Sequence, residues 1–237
     1  MKLIVATHNE GKLVEIRRIL ESGLGQDAAR IELVSAGSLH LPDPIETGVT
    51  FQENALLKAR DVAERTGWPA IADDSGLIVD VMGNAPGILS ARWAGHHGDD
   101  AANNALLLAQ IADIPDDKRT ARFRCAAALV VPEVPEVSAD EQHPIVTDDQ
   151  PGRRYAIVSE TVKIGEMPGV IIREARGTNG FGYDPLFVPD DQPGRALTDG
   201  IDGRLTSAEL TSAEKNAISH RGKALRAIVP AIERLVR

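Results

Sequence analysis

Strand-like and helix-like segments alternate along this chain, and the alternation limits its possible folds more than any other feature. A first strand is predicted at Lys2–Ala6, and apolar residues recur at helical spacing from Leu13 onward. Long strands are predicted at 122–131 and 155–164, and we expect these two to pair as antiparallel neighbours. The order predicts an α/β fold with a mixed central sheet flanked by helices.

Local signals place several helices. Thr50 followed three residues later by Glu53 is a capping-box pattern, and Gly67 is a typical stop for the helix that begins there. Another helix is predicted from about residue 100 to 111. Thr-Ser-Ala-Glu occurs twice between 206 and 214, which offers two capping registers for a helix near the C-terminus.

Composition restricts the class of protein. The formal net charge of −9 over 237 residues argues against a nucleic-acid binder. No apolar run approaches the roughly 20 residues of a membrane helix, and no signal peptide is recognisable. The single Cys125 is expected to be a buried core thiol in a reduced, cytoplasmic protein. Two irregular stretches, 132–154 and 189–205, are predicted to be mobile extensions.

The sequence Asp73-Asp74-Ser75-Gly76 lies between two apolar runs and is predicted to be a strand emptying into a loop. Adjacent carboxylates repel each other, so a fold that brings them together usually supplies a cation. Taken alone, the tetrapeptide fits an acidic turn and a metal site equally well.

The loop Thr7-His8-Asn9-Glu10-Gly11-Lys12 follows the first strand and precedes a helix. Backbone N–H groups at a helix N-terminus, together with a lysine, form an anion site. The alternative is an ordinary turn in which Asn9 or Thr7 caps the helix.

Three further segments carry polar or aromatic groups that suit a nucleotide. Glycines in 178–185 would let the backbone approach a ligand, and an aromatic there would either stack on a base or fill the core. Lys215 and the pair His220-Arg221 lie near the start of the last helix, where a solvated helix start is the simpler interpretation. Glu46 precedes the capped helix that carries Lys58.

Six motifs in order along nearly the whole chain resemble the inosine triphosphate pyrophosphatase family, the dITP/XTP diphosphatases that remove deaminated purine nucleotides. The motifs are 7–12, 46–55, 71–77, 85–93, 180–185 and 214–222. The two irregular stretches lie outside all of them.

The resemblance implies a single domain over residues 1–237, with two lobes around a substrate cleft and a mixed, elongated sheet of the family type. It implies Asp74 as the catalytic carboxylate and Glu46 and Asp74 as Mg²⁺ ligands. The implied substrate-binding residues are Thr7, His8, Asn9, Glu10, Gly11, Lys12, Lys58, Ser75, Phe181, Gly182, Tyr183, Asp184, Lys215, His220 and Arg221.

The implied reaction converts a purine nucleoside triphosphate such as ITP, dITP or XTP to the monophosphate and pyrophosphate. The expected partners are this small-molecule substrate and a second copy of the chain in a homodimer, with no nucleic acid and no membrane. Two alternatives are a purine-nucleotide sensor without hydrolysis and a pyrophosphatase for other modified nucleotides. A sensor would not need acids beside the phosphates, and 215–221 argues against pyrimidine substrates.

Overall fold

A computed structural model describes residues 1–133, 145–146 and 154–236. Within these residues the strands are β1 (Lys2–Val5), β2 (Glu32–Ser35), β3 (Ala70–Val79), β4 (Thr120–Pro132), β5 (Ile157–Ile171) and β6 (Phe187–Pro189). The α-helices are α1 (Glu10–Leu24), α2 (Phe51–Thr66), α3 (Asp100–Gln110), α4 (Ala196–Asp199), α5 (Ser212–Ile218) and α6 (His220–Val236). Short 3₁₀ segments lie at Gly25–Arg30, Gly37–Leu39, Asp80–Met82, Gly87–Arg92 and Asp116–Lys118.

The strands form a mixed sheet in the order β2-β1-β3-β4-β5-β6. β1 is parallel to both of its neighbours, β2 and β3, whereas β5 and β6 are antiparallel. Ile171 N–H donates to Arg119 O at one end of the β4–β5 pair, and Glu133 N–H donates to Ala156 O at the other. Going from Arg119 to Glu133, the paired residue moves back from Ile171 to Ala156, so β4 and β5 are antiparallel, as predicted. The mixed α/β fold class is confirmed.

The chain divides into two compact units. The first comprises Met1–Asp74, Ala126–Ile164 and Ala224–Arg237, and the second comprises Ser75–Cys125 and Gly165–Lys223.

Consecutive apolar residues build the core of the first unit. All three apolar residues of β1, Leu3, Ile4 and Val5, are buried, as expected for a parallel strand covered on both faces. Helix α1 buries the face on which apolar residues recur every three or four positions. Helix α6 packs against α1 at Gly23, where a Cβ would fall 2.7 Å from Val229 Cγ2. The small residue is therefore needed for the two helices to approach.

Helix α2 forms for the predicted reasons. Thr50 accepts a hydrogen bond from Glu53 N–H and the Glu53 carboxylate accepts one from the Thr50 N–H, so the capping box is confirmed. Gly67 ends the helix with φ 67°, a left-handed conformation that glycine adopts without strain.

The second unit has a core of apolar side chains from β3, α3, β4, β5 and β6. Phe123 and Phe187 pack edge to face there, with their ring centroids 4.8 Å apart. Cys125 is buried, as predicted. The stretch 189–205 contains the single turn α4, and its Ala196 and Leu205 are buried in a small apolar cluster with Leu210.

Two other predictions can be compared with the structure. The helix predicted at 206–215 uses the second of its two registers: Thr211 and Glu214 form the capping box of α5, and 206–210 forms turns. Most of the stretch 132–154 lies outside the described residues, so its predicted mobility is not tested. Among the described residues, no helix has both the length and the apolar character needed to cross a membrane.

Candidate active site

Strand β3 continues through Asp73-Asp74-Ser75-Gly76, so the prediction that the strand gives way to a loop there is wrong. Neighbouring strand residues point to opposite faces of a sheet, and the structure provides a separate lysine for each carboxylate. Lys12 Nζ lies 2.8 Å from Asp73 Oδ1, and Lys58 Nζ lies 3.3 Å from Asp74 Oδ1. Two cations therefore allow two adjacent acids inside a strand.

Asp73 and Asp74 differ in accessibility. The side chain of Asp73 is only 2% exposed and that of Asp74 is 14% exposed. Burial raises the pKa of Asp74 above its usual value, although the neighbouring Lys58 ammonium acts in the opposite direction. Of the two acids, Asp74 is therefore the more accessible to water and a stronger base than an exposed aspartate.

Lys58 joins Asp74 to the second predicted acid, Glu46. Its Nζ lies 2.7 Å from Glu46 Oε1, which makes Lys58 the shared cation of both carboxylates. Burial alone would lower the pKa of Lys58, but Asp74 and Glu46, with Asp73, together raise it above the ordinary value. Helix α2 presents Lys58 in its second turn, so the capping box that starts the helix also determines where this ammonium lies.

Asn54 belongs to this cluster, although it is not among the predicted site residues. It is buried, accepts a hydrogen bond from Gly48 N–H at 2.8 Å, and hydrogen-bonds Asp74. Asn54 therefore connects the Glu46-Thr47-Gly48 segment to Asp74. Its spacing of four residues from Lys58, which places both on one face of α2, was the signal in the sequence.

Glu46 and Asp74 fit a magnesium ion by their chemistry and convergence. Both direct carboxylate oxygens at one cation, and Mg²⁺ commonly takes one or two protein carboxylates and completes its shell with water and phosphate. In the described part of the chain, no group of three or more His, Cys, Asp or Glu side chains is placed to hold a metal. Water and substrate oxygens are the ligands with which Mg²⁺ usually completes such a site.

The loop between β1 and α1 is an ordered helix start. Asn9 caps α1 by accepting from Lys12 N–H at 3.1 Å, and Thr7 Oγ1 accepts from Asn9 N–H at 3.1 Å. Both His8 ring nitrogens face acceptors: Nε2 lies 2.7 Å from Leu41 O and Nδ1 lies 2.7 Å from an Asp43 carboxylate oxygen. These two contacts fix the orientation of the His8 ring, and the Asn9 cap fixes the start of α1.

Two more predicted residues lie at the start of α1. Glu10 accepts a hydrogen bond from Ser35 Oγ at 3.1 Å, so its carboxylate is turned to β2. Gly11 is exposed, and a Cβ there would lie 3.2 Å from Asn9 Oδ1, the atom that caps the helix. A side chain at this position would therefore press on the cap.

A second group of predicted residues lies together in the second unit, around the loop Gly180–Asp184. The buried Asp184 accepts from Phe181 N–H at 2.9 Å and forms an ion pair with the Lys215 ammonium. That ammonium also lies 5.4 Å from the centroid of the Phe181 ring, in a cation–π arrangement. Of the two aromatic side chains, Tyr183 is buried and fills the core, whereas Phe181 is 68% exposed, so only its ring is available to stack on a base.

The buried Tyr183 fixes this loop to β3. Its hydroxyl donates to Ser90 O at 2.9 Å, and Ser90 Oγ accepts from Leu77 N–H at 2.9 Å. Gly76 packs against the same serine, since a Cβ there would lie 2.5 Å from Ser90 Oγ. Ser75, the predicted substrate contact beside it, is half-buried in β3.

His220 and Arg221 begin α6, as predicted. The His220 ring stacks on Phe123 with centroids 5.0 Å apart, and Arg221 is only 8% exposed. Ser219 Oγ accepts from Gly222 N–H at 3.0 Å and caps the helix start. These two side chains are thus held by packing in the second unit and are not part of a solvated helix end.

Comparison with known proteins gives consistent matches. The sequence model of the Ham1 family matches residues 3–231. A dITP/XTP pyrophosphatase of Bifidobacterium longum is 73% identical, with 100% of both chains covered, and one of Streptomyces coelicolor is 49% identical, with 99% of this chain and 98% of that protein covered.

Solved structures agree with these matches. A nucleoside-triphosphatase / dITP/XTP pyrophosphatase from Mycobacterium abscessus is 45% identical, covers 97% of this chain and 100% of its own, and superimposes with a TM-score of 0.67. A HAM1 protein from Coxiella burnetii is 34% identical, covers 99% of both chains, and has a TM-score of 0.73.

Proposed function

Because this chain belongs to the Ham1 family, we propose that it hydrolyses deaminated purine nucleoside triphosphates, ITP, dITP and XTP, to the monophosphate and pyrophosphate. The family predicted from the six sequence motifs is confirmed. The observation that carries the proposal is the 73% identity, over the whole chain, to a protein named dITP/XTP pyrophosphatase. The enzyme class, a nucleoside triphosphate pyrophosphatase, follows from the same relatives.

We propose that the first unit binds the triphosphate and a divalent metal. Glu46 and Asp74 would hold the metal, for which Mg²⁺ is the best candidate because its ligands are hard carboxylate oxygens. When bound, Mg²⁺ would neutralise the negative charge that develops on the phosphate oxygens. Lys12 and Lys58 supply positive charge next to the acids, and the helix start at 7–12 adds backbone N–H groups.

We propose that Asp74 acts on the attacking water. A general base must be able to reach its proton, and Asp74, 14% exposed, is the more accessible of the two adjacent acids. Asp73 is a weaker candidate because its side chain is 2% exposed and paired with Lys12. Attack on the α-phosphorus would release pyrophosphate as the leaving group.

We propose that the loop Gly180–Asp184 and the start of α6 read the base. Phe181 offers an exposed ring for stacking, and Arg221 and His220 offer donors for the 6-keto oxygen of a deaminated purine. ATP presents an amino group at that position, so a donor facing it is left without an acceptor, which penalises ATP. We further propose that the enzyme is a cytoplasmic homodimer.

A nucleotide panel tests the proposed function. The protein with Mg²⁺ is given ITP, dITP, XTP, ATP and GTP at equal concentration, and pyrophosphate and orthophosphate are measured separately, with Asp74→Asn as the matched inactive variant. We expect pyrophosphate from the first three at rates far above those for ATP and GTP. Similar rates on all five would refute the specificity, release of orthophosphate would refute the cleavage position, and tight binding without hydrolysis would establish a sensor instead.

A further inference from the structure

Helix α3 holds both sides of one residue in the loop Gly180–Asp184. Asp100 Oδ2 accepts a hydrogen bond from Gly182 N–H at 2.7 Å, and Asn104 Nδ2 donates one to Gly182 O at 3.0 Å. Asp100 and Asn104 are four residues apart, so they lie on the same face of the first turns of α3. One helix face therefore fixes the two peptide groups that flank a single loop residue.

These hydrogen bonds matter because Gly182 has no side chain to pack, whereas its neighbour Tyr183 is buried in the core. Gly182 has φ 61°, and a Cβ placed on it would meet no atom within 4 Å. Gly180, two residues earlier, also has a left-handed φ of 78°. Glycines lose more conformational freedom on ordering than other residues, so a loop with two of them needs specific contacts to keep one conformation.

The contacts on the other side of the loop show what the conformation determines. Phe181, next to Gly182, is 68% exposed, and its N–H group is bound to Asp184. Asp100 also lies close enough to Tyr183 to raise the pKa of that phenol, in addition to the larger effect of burial. The backbone is therefore fixed on both sides of Phe181: Asp184 binds the N–H of Phe181 itself, and Asp100 binds the N–H of the next residue, Gly182.

We infer that Asp100 and Asn104 are positioning residues that set the specificity of the enzyme by holding the base-reading loop through the Gly182 peptides; the inference rests on the proposed function of that loop. Neither side chain needs to touch the nucleotide. A loosened loop presents the Phe181 ring and its neighbouring groups in several positions, and these bind a correct and an incorrect base with less difference. The effect falls on KM and on the ITP/ATP ratio more than on turnover, because the phosphate-binding residues are unchanged.

The first test is amide hydrogen exchange on the full-length protein without nucleotide, resolved over 178–186. Asp100→Ala and Asn104→Ala are expected to raise exchange in this segment about tenfold, as for the loss of one hydrogen bond of ordinary net strength. Asp100→Asn keeps an acceptor for the Gly182 N–H and is expected to restore most of the protection. Gln110→Ala is the matched control, since it removes another side-chain hydrogen bond of α3, from Trp93 Nε1 at 2.9 Å, away from the loop.

The second test measures kcat and KM for ITP and ATP with the same variants. Asp100→Ala is expected to raise KM for ITP and lower the ITP/ATP ratio of kcat/KM about tenfold, with kcat for ITP within about threefold of the parent. Unchanged exchange in Asp100→Ala, or an equal rise in Gln110→Ala, would refute the inference that Asp100 and Asn104 hold the loop at Gly182. Raised exchange with an unchanged ratio would overturn the specificity role. If the parent hydrolyses none of the nucleotides, the proposed function fails, whereas the exchange result still decides whether Asp100 and Asn104 hold the loop at Gly182.

Discussion

Replacing Lys58 with methionine tests whether this ammonium is the internal counter-ion of the acidic pair. The substitution keeps the length of the side chain and removes its charge, so Glu46 and Asp74 remain close together with no cation between them. The side chains of Lys58 and Asp74 are each 14% exposed and that of Glu46 is 30% exposed. The exposure of this cluster is therefore intermediate between that of a buried ion pair and that of a surface ion pair.

The magnitude follows from that position. Removing one partner of a fully buried pair costs about 3–5 kcal/mol, and an exposed pair contributes about 0–1 kcal/mol. We expect Lys58→Met to lower the free energy of unfolding by about 2–3 kcal/mol in EDTA. At about 2–4 °C per kcal/mol for a chain of this size, Tm falls by about 4–12 °C.

The same variant makes a second prediction about metal. Without the ammonium, the two carboxylates have no competing cation, so Mg²⁺ binds them more tightly in the absence of nucleotide. A ligand at 100 times its Kd stabilises the native state by about 2.7 kcal/mol, so a large part of the lost stability returns on adding Mg²⁺. The parent, in which Lys58 already occupies the pair, gains less.

Thermal unfolding with EDTA and with a Mg²⁺ series is the assay, and Arg60→Met is the matched control. Arg60 is on the same helix and pairs with Glu160, but the two side chains are 45% and 31% exposed, so its loss costs under about 1 kcal/mol. The reasoning is refuted if Lys58→Met unfolds within 1 °C or so of Arg60→Met and responds to Mg²⁺ no more than the parent does.

Three other predictions concern single residues. Asp74→Asn is expected to lower kcat for ITP about 10²–10⁴-fold while the protein still unfolds cooperatively, and a variant that keeps most of its activity would remove Asp74 from the mechanism. Pairing with Arg195 lowers the pKa of Glu214 from 4.5 to about 2, so its contribution to stability is full above pH 4.5 and is lost as the pH falls towards 2. Glu214→Gln, which keeps the helix cap, is therefore expected to reduce the pH dependence of the free energy of unfolding in urea between pH 4.5 and 2. An unaltered pH dependence would contradict the pairing. Arg221→Ala is expected to lower the ITP/ATP ratio of kcat/KM about 5–150-fold, and an equal loss on both nucleotides would move base recognition elsewhere.

Local chemistry made much of the fold predictable. The helix from Phe51 to Thr66 is determined by Thr50, Glu53 and Gly67, which satisfy its end groups through contacts a few residues apart. The antiparallel strands around 122–131 and 155–164 follow from their many β-branched and aromatic residues. The register between Thr206 and Thr211 was open because both have a glutamate three residues later. In the structure Thr206 Oγ1 donates to Arg176 O, whereas Thr211 Oγ1 accepts from Glu214 N–H and caps the helix.

The candidate site was less predictable because its pairs join distant segments. Local propensity assigns two successive aspartates to a loop, but Lys12 and Lys58 neutralise Asp73 and Asp74 from two different helices and let the strand continue. The contact between Asp100 and Gly182 spans 82 residues, and no local pattern announces it. The motifs contain the residues that form these ion pairs, but which residue pairs with which came only from the structure.

Helix α3 is fixed at both ends, and this has a consequence for how the chain can evolve. At its C-terminal end the buried Arg119 donates to Ile111 O at 2.7 Å and to Ile114 O at 3.0 Å, while Asp100 and Asn104 are committed to Gly182 at the other. An insertion or deletion of one residue between these ends would rotate the first turn by about 100° and shift it by about 1.5 Å. We therefore expect α3 to tolerate replacement of single side chains better than a change in its length.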